Sequence, residues 1–335
     1  MRRYAALALV LTLACSGGQP NGRRIQITIP EGATLTAAAD SLVANGVIGS
    51  ASAFRFFARV TGKTDDIKAG VYEFVPDMPA INALSILTRG QETLRRLVVP
   101  EGLMIPEVAA YVRMQARVPA DSFTAAAQDP ALATRLGAPT PSLEGYLYPS
   151  TYLVRYGVGA REVVRMMVDE FELQWKPGWT ARLDTLRMTR HQVVTLASIV
   201  EGEVRFGPDR KYVASLYHNR LRRHMRLQAD PTVIYGLGLR RRLFERDYLL
   251  PSKYNTYLID GLPPGPIGQP SSASIEATLY PATSSFLYLV AQPDGKHVFS
   301  RTYAEHLEAV RTVRRATSPR APDPRPAAAP GRRAR

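Results

Sequence analysis

Short strand patterns and helical patterns alternate along most of the chain. Ile25, Ile27 and Ile29 alternate with polar residues, which predicts a strand, and residues 70–74 predict another. Apolar residues at helical spacing predict helices over residues 37–44, 51–60, 81–87 and 105–114. The pattern therefore favours an α+β protein.

The motif Pro-Glu-Gly occurs twice, each time between a predicted strand and a predicted helix. Residues 27–32 (ITIPEG) and residues 97–102 (LVVPEG) share this pattern, and a third strand–helix unit lies between them. Proline ends strand pairing, and glycine takes the backbone angle that reverses the chain. A repeated βα module is predicted, which fits either a glycan-gripping function or a purely structural spacer.

The second half of the chain predicts further helices and one hairpin. Residues 158–171 predict an amphipathic helix, residues 175–179 a linker, and residues 211–221 another helix. Asp230 precedes a proline, which favours a bend over a helix. Residues 287–291 and 297–300 predict a hairpin, and residues 303–315 a closing helix. The Ala-, Pro- and Arg-rich residues 316–335 have no apolar period and are predicted to be disordered.

The helix predicted over residues 190–204 (RHQVVTLASIVEGEV) organises the second half. Thr189 and Gln192 have the spacing of a capping box, and apolar residues at helical spacing face a core. Glu201 lies near its end, where partial removal from water favours the protonated carboxyl that a general acid needs. Gly202 is predicted to let the chain leave the helix, and Glu203 adds a second carboxylate. The alternative is that both glutamates are solvated residues at a helix end.

The N-terminus predicts export from the cytoplasm. Arg2 and Arg3 precede an apolar run over residues 4–14, which is shorter than a membrane span. Cys15 follows Leu-Thr-Leu-Ala, which resembles a bacterial lipoprotein cleavage box whose cysteine is acylated. An ordinary cleaved signal and an uncleaved anchor are the alternatives. Each of them places the rest of the chain in the cell envelope, and two of them anchor it to a membrane.

Charge and composition restrict the classes of binding partner and the types of catalytic site that the chain could have. The 43 basic and 29 acidic residues give a net charge of +14, which suits an anionic partner such as nucleic acid, a membrane face or a wall polymer. No aromatic-basic motif indicates nucleic-acid binding. Cys15 is the only cysteine, which excludes a disulfide framework. The five histidines lack metal-ligand spacing, and no nucleophile elbow or phosphate loop occurs, so neither a metal nor a cofactor is predicted.

Five motifs together resemble the endolytic murein transglycosylase family (MltG, YceG-like). In chain order they are LEGYLYPSTY (143–152), LASIVEGEV (196–204), RLQADPTVIYGLG (226–238), YNTY (254–257) and GLPPGPIGQP (261–270). The resemblance covers residues 24–313. It implies a LysM-like βα subdomain over residues 24–95 after the anchor segment 1–23. A mixed α/β catalytic domain follows over residues 96–315, whose first part, 96–120, is also compatible with packing on the LysM-like module.

The resemblance implies that Glu201 is the catalytic residue of an enzyme that cleaves MurNAc–GlcNAc bonds inside peptidoglycan strands. The products would carry 1,6-anhydro-MurNAc ends, and cleavage beside peptidoglycan synthases would terminate nascent strands. Glu203 is the alternative acid. The following residues are expected around the substrate in orienting or charge-stabilising roles: Glu144, Gln228, Asp230, Tyr254 and Asn255.

Three positions depart from the pattern that the family leads one to expect. Gly202 stands where Lys or Arg is usual, Ser150 where Asp is usual, and Gln269 where Asn is usual. Two alternative functions stay open, and the departures at Gly202 and Ser150 bear on the second of them. One is a hydrolase in which Glu203, Glu144 or Asp230 activates a water molecule. The other is a non-catalytic glycan-binding envelope lipoprotein.

Overall fold

The chain forms two compact units in its computed structural model, which describes residues 24–90, 93–139 and 141–317. Of the described residues, one unit comprises those up to Arg95 together with Leu153–Gly157, and the other comprises those from Arg96 to Tyr152 and from Val158 onward. The export segment with Cys15 and nearly all of the predicted disordered tail lie outside the described residues. Helices and strands are both present, which confirms the α+β prediction.

The first unit is built on an antiparallel strand pair. Strands β1 (Ile25–Ile29) and β2 (Gly70–Phe74) pair so that Ile25 lies opposite Phe74. The three helices are α1 (Leu35–Ala44), α2 (Ala51–Val60) and α3 (Ala80–Arg89). The side chains of the strands and helices enclose one core, which includes Ile29, Leu42, Phe54, Tyr72, Phe74, Leu84 and Leu87. The predicted elements are present here, whereas the LysM-like assignment stays a prediction.

The second unit is mainly helical. Its helices are α4 (Ile105–Ala116), α5 (Ala120–Ala126), α6 (Pro130–Arg135), α7 (Ala160–Gln174), α8 (Pro177–Leu186), α9 (Arg190–Glu203), α10 (Arg210–Arg222), α11 (Asp230–Leu237), α12 (Ser272–Leu279) and α13 (Tyr303–Thr317). Strands β3 (Leu94–Val98) and β4 (Thr151–Arg155) pair with each other, and the division between the units runs through both. Strands β5 (Tyr288–Ala291) and β6 (His297–Ser300) form the predicted antiparallel hairpin.

Helix α9 is the central element of the second unit. All of residues 193–200 are buried, and the helix packs against α8, α10, α11 and α12. The predicted capping box is present: Gln192 N–H donates to Thr189 Oγ1 at 3.2 Å, and Thr189 N–H donates to Gln192 Oε1 at 2.8 Å. A helix that is apolar on nearly every side must be covered on nearly every side, which accounts for its central position.

Three local predictions were wrong, and proline or glycine explains each of them. The predicted linker becomes helical at Pro177, and the predicted bend at Asp230 is the first residue of α11. Proline lacks an N–H, which the first turn of a helix does not need. The helix does not end at Gly202, because α9 continues to Glu203. Among the described residues, no helix combines the length and apolar character needed to cross a membrane.

Candidate active site

Glu201 lies in the last turn of α9 with its carboxylate held by three donors. Its side chain is only 8% exposed. Oε2 accepts the Ser271 N–H at 3.0 Å and also the Ser271 hydroxyl, while Oε1 lies 3.4 Å from Arg210 Nη2. Ser271 is the N-cap of α12, so the carboxylate lies at the positive end of that helix. These partners fix the orientation of the Glu201 side chain.

The second Pro-Glu-Gly turn lies beside Glu201. Gly102 has a φ of +73°, and a Cβ at that position would lie 3.6 Å from Glu201 Cγ. The neighbouring Glu101 is exposed to solvent, although the protein covers part of its side chain. This partial burial is the largest cause that raises the pKa of Glu101, and the charge of Glu201 is the next. The charge of Arg210 lowers the pKa. Sequence reasoning singled out the motif but missed Glu101, because no spacing in the chain links positions 101 and 201.

Two sets of hydrogen bonds fix this turn. Gly102 N–H donates to Gln269 O at 2.7 Å, and Gln269 N–H donates to Leu103 O at 2.9 Å. On the other side, the Arg240 guanidinium donates to Gly102 O and, at 2.9 Å, to Glu107 Oε2. The turn is thus held by a loop on one side and an arginine on the other.

Glu144 is buried and accepts hydrogen bonds from three neighbouring residues. Its carboxyl accepts the Ile105 N–H at 3.2 Å, the Tyr235 hydroxyl at 3.3 Å and the Gln269 side-chain amide. Gln269 Oε1 in turn accepts the Leu147 N–H at 3.0 Å. Burial raises the pKa of Glu144 to about 8. Glu144 therefore connects the start of α4 to the loop that carries Ser271.

The buried carboxyl predicts that stability falls as pH rises. Glu144 keeps its proton in the folded state up to a pKa of about 8, whereas its ordinary value is 4.5. The folded state thus binds more protons between these values, so the free energy of unfolding should fall between about pH 5 and pH 8, by up to a few kcal/mol. Urea unfolding at several pH values measures this slope. We expect Glu144→Gln to reduce this slope to the part that other buried carboxyls such as Glu203 contribute, and Glu31→Gln, at an exposed position, to leave it unchanged. An unchanged slope in Glu144→Gln would contradict the assignment.

Glu203 faces the opposite side of α9 from Glu201. Residues two apart on a helix are separated by about 200° and do not share a face. Glu203 accepts the Tyr217 hydroxyl at 2.8 Å. Burial raises the pKa of Glu203 to about 7, and the charge of Asp230 acts in the same direction. The two carboxylates of the motif therefore belong to separate sites.

A cavity of about 350 Å³, called the second cavity below, is lined by Glu203, Gln228 and Asp230 together with Arg220 and several tyrosines. Asp230 accepts the Tyr257 hydroxyl at 2.7 Å. Gln228 Oε1 accepts from Arg220 Nη1 at 3.2 Å. The structure brings these three predicted site residues together, on the other side of α9 from the Glu201 carboxylate.

Tyr254 and Asn255 have different surroundings. The Tyr254 ring packs on the Tyr235 ring at a centroid distance of 4.6 Å, and Tyr235 reaches Glu144. Asn255 is fully buried. Its amide donates to Tyr248 O at 3.0 Å and to Leu250 O at 2.9 Å. Asn255 thus organises the loop that precedes it.

Gly202 is packed against Pro231. A Cβ at position 202 would lie 2.7 Å from Pro231 Cβ and 2.9 Å from its Cγ. The Lys or Arg expected from the family pattern therefore does not fit this arrangement of α9 and α11. The close approach lets the start of α11 lie on the last turn of α9.

This contact predicts opposite effects for two glycine substitutions in helices. Alanine normally stabilises a helix by about 1 kcal/mol relative to glycine. We expect Gly202→Ala instead to lose roughly 1–3 kcal/mol through overpacking. Gly178, in α8, has open space where a Cβ would lie, so Gly178→Ala should gain up to about 1 kcal/mol. Urea unfolding of both variants measures the difference, and a stabilised Gly202→Ala protein would contradict the close contact.

A cavity of about 750 Å³ lies away from Glu201 and is lined by His191, His218 and the loop at residues 261–264. Both imidazoles already bond backbone carbonyls, His191 to Pro264 O at 2.9 Å and His218 to Thr278 O at 2.8 Å. We place the candidate site at Glu201 because the oriented carboxylate, rather than the cavity volume, supplies the chemistry. No group of three possible metal ligands occurs in the described part of the chain.

Comparison with known proteins identifies the family of the chain. The model of the YceG-like family matches residues 27–312. An endolytic murein transglycosylase of Bacillus subtilis is 30% identical over 302 residues, which cover 85% of this chain and 83% of that protein. An endolytic murein transglycosylase of Streptococcus pneumoniae is 28% identical, and the match covers 84% of this chain and 57% of that longer protein.

A solved structure extends the comparison to the fold. The crystal structure of a yceG-like protein from Listeria monocytogenes superposes with a TM-score of 0.60 at 32% identity, and covers 86% of this chain and 99% of that one. The resemblance inferred from the five sequence motifs is thereby confirmed. Because the family match spans nearly all of the described residues, the protein belongs to the YceG-like family.

Proposed function

We propose that the protein is an endolytic murein transglycosylase that cleaves MurNAc–GlcNAc bonds inside peptidoglycan strands and leaves 1,6-anhydro-MurNAc ends. The names of the matched relatives support the enzyme class and the substrate. The observation that carries the proposal for this chain is the Glu201 carboxyl, oriented by Ser271 and Arg210 within the region that the family matches.

Glu201 supplies the proton transfers of this reaction. Its carboxyl protonates the departing glycosidic oxygen as the bond to the MurNAc anomeric carbon breaks. The C6 hydroxyl of the same sugar then attacks that carbon and closes the 1,6-anhydro ring, and the Glu201 carboxylate takes up the proton of this hydroxyl. One carboxyl group can thus serve both proton transfers. A nucleophile within the substrate also gains the large rate advantage of a reacting group that is already positioned.

The remaining predicted site residues take supporting roles in this proposal. Glu144 and Tyr254 position the loop and the helix start around Glu201 through Gln269 and Tyr235. Gln228, Asp230 and Glu203 line the second cavity, where they would orient a part of the glycan strand that lies away from the cleaved bond. Asn255 acts through the loop that it organises.

We also propose an envelope location for the chain. Residues 1–23 would export it and hold it at the membrane, with Cys15 as the lipidation candidate. Residues 24–95 would serve as the LysM-like module and residues 96–315 as the catalytic domain. Beside the peptidoglycan synthases, cleavage would terminate nascent strands.

Analysis of the new glycan ends tests the proposed function. The full-length protein is incubated with purified peptidoglycan, and mass spectrometry determines the ends that appear. Anhydro ends, one water lighter than hydrolytic ends, are the expected result. Reducing ends would instead identify a hydrolase, and no new ends on several substrates would identify a glycan-binding protein.

A further inference from the structure

Glu101 differs from the other carboxyl groups near α9 in having no partner. Glu201, Glu203 and Glu144 each accept at least one hydrogen bond from a neighbouring side chain. Within the described part of the chain, no hydrogen bond or ion pair engages the Glu101 carboxyl, which is exposed. It is thus available to a substrate that approaches Glu201.

Glu101 is also electrostatically close to Glu201. The charge of Glu201 raises the pKa of Glu101, and the charge of Arg210 lowers it. The Glu101 carboxyl therefore lies within the electrostatic range of both groups. A Cβ at Gly102, the next residue, would lie 3.6 Å from Glu201 Cγ, which places this turn beside the Glu201 side chain. Because the turn is held by Gln269 and Arg240, this proximity is a fixed property of the unit.

We propose that Glu101 is a second catalytic carboxyl, which accepts the proton of the attacking C6 hydroxyl while Glu201 protonates the departing oxygen. This inference rests on the proposed function and divides its two proton transfers between two residues. The bond from the anomeric carbon to the leaving oxygen breaks, and the bond to O6 forms. One proton moves from Glu201 to the leaving oxygen and one from O6 to Glu101. A proton returned from Glu101 to Glu201, directly or through water, completes the cycle.

The positions of the other carboxyl groups favour Glu101 for this role. Glu203 lies on the opposite face of α9 and lines the second cavity with Asp230. Glu144 is buried beneath the start of α4. The raised pKa of Glu101 also makes its carboxylate a stronger base than an ordinary glutamate.

Paired glutamate variants of the two Pro-Glu-Gly turns test the proposal. Glu31 occupies the same place in the first turn, which belongs to the other unit, so Glu31→Gln is the matched control. We expect Glu101→Gln to lower the rate of anhydro-end formation about 100-fold or more, with an unchanged unfolding midpoint. Glu31→Gln should retain the wild-type rate.

The pH profile distinguishes a base from a structural residue. A base must be ionised, so wild-type kcat/KM should fall on the acid side as Glu101 becomes protonated, at a pH above that of an ordinary glutamate. The residual activity of Glu101→Gln should lack this decline. Added formate, a small carboxylate, should partly restore Glu101→Ala because the position is exposed.

The outcomes separate this inference from the proposed function. If Glu201→Gln is inactive while Glu101→Gln retains wild-type rate and pH profile, the second carboxyl is refuted and the proposed function stands. If Glu201→Gln retains full activity, the assignment of Glu201 itself fails. A slow Glu101→Gln protein with an unchanged acid-side decline, together with a Glu101→Ala protein that formate does not restore, would also overturn the role of Glu101 as base.

Discussion

Replacing Glu201 with glutamine is expected to lower the rate of anhydro-end formation by about 10²–10⁴-fold, the usual contribution of general acid–base catalysis. Glutamine has the same shape and keeps an oxygen that accepts from Ser271. Only the ion pair with Arg210 is lost. The unfolding midpoint should therefore change little, and mass spectrometry of the glycan ends measures the activity.

Glu203→Gln is the informative control for this result. Glu203 is two residues away and faces the second cavity, where Tyr217 donates to it. We expect this variant to retain the chemistry of the products and most of the rate. An inactive Glu203→Gln protein beside an active Glu201→Gln protein would transfer the role of acid to Glu203.

The second large effect is expected at Gln269, which is fully buried. Gln269→Ala would remove one of the three donors to the Glu144 carboxyl and the acceptor of the Leu147 N–H, and it would leave a cavity in the buried network. Each buried polar group that loses its partner costs about 1–3 kcal/mol, so the free energy of unfolding should fall by roughly 2–5 kcal/mol. Urea unfolding measures this loss. Activity should fall as well, because the same loop fixes the Glu101 turn and carries Ser271.

Two further glutamine variants serve as comparisons for Gln269→Ala. Gln128 is exposed, so Gln128→Ala should be neutral. Gln269→Asn shortens the side chain by one methylene and cannot reach Glu144 and Leu147 together without movement of the loop. We expect an intermediate loss for it. A fully stable Gln269→Ala protein would show that the Glu144 network contributes little to stability.

Local patterns predicted most of the secondary structure. The capping box at Thr189 and the hairpin from Tyr288 to Ser300 depend on residues close in sequence, and both were predicted. The starts of α8 and α11 were not. Proline is compatible with a turn and with the first turn of a helix, and only the surrounding packing decides between them.

The candidate site was predicted less completely. Glu201 was identified from its motif together with the family resemblance, and its burial follows from the apolar helix that carries it. The turn at Glu101 and the bond from Gln269 to Glu144 join residues that are far apart in the chain. Asn255 was expected near the substrate, yet its polar group serves the loop backbone. Whether a polar side chain faces inward or outward in a loop depends on tertiary contacts that no local period encodes.

The contact between Gly202 and Pro231 has an evolutionary consequence. A side-chain carbon at position 202 would lie 2.7 Å from Pro231 Cβ, whereas Pro231 belongs to a motif that matches the family pattern. A relative with lysine or arginine at position 202 must therefore hold the start of α11 farther from the last turn of α9. The spacing of these two helices should be larger in YceG-like proteins with lysine or arginine at position 202 than in this chain.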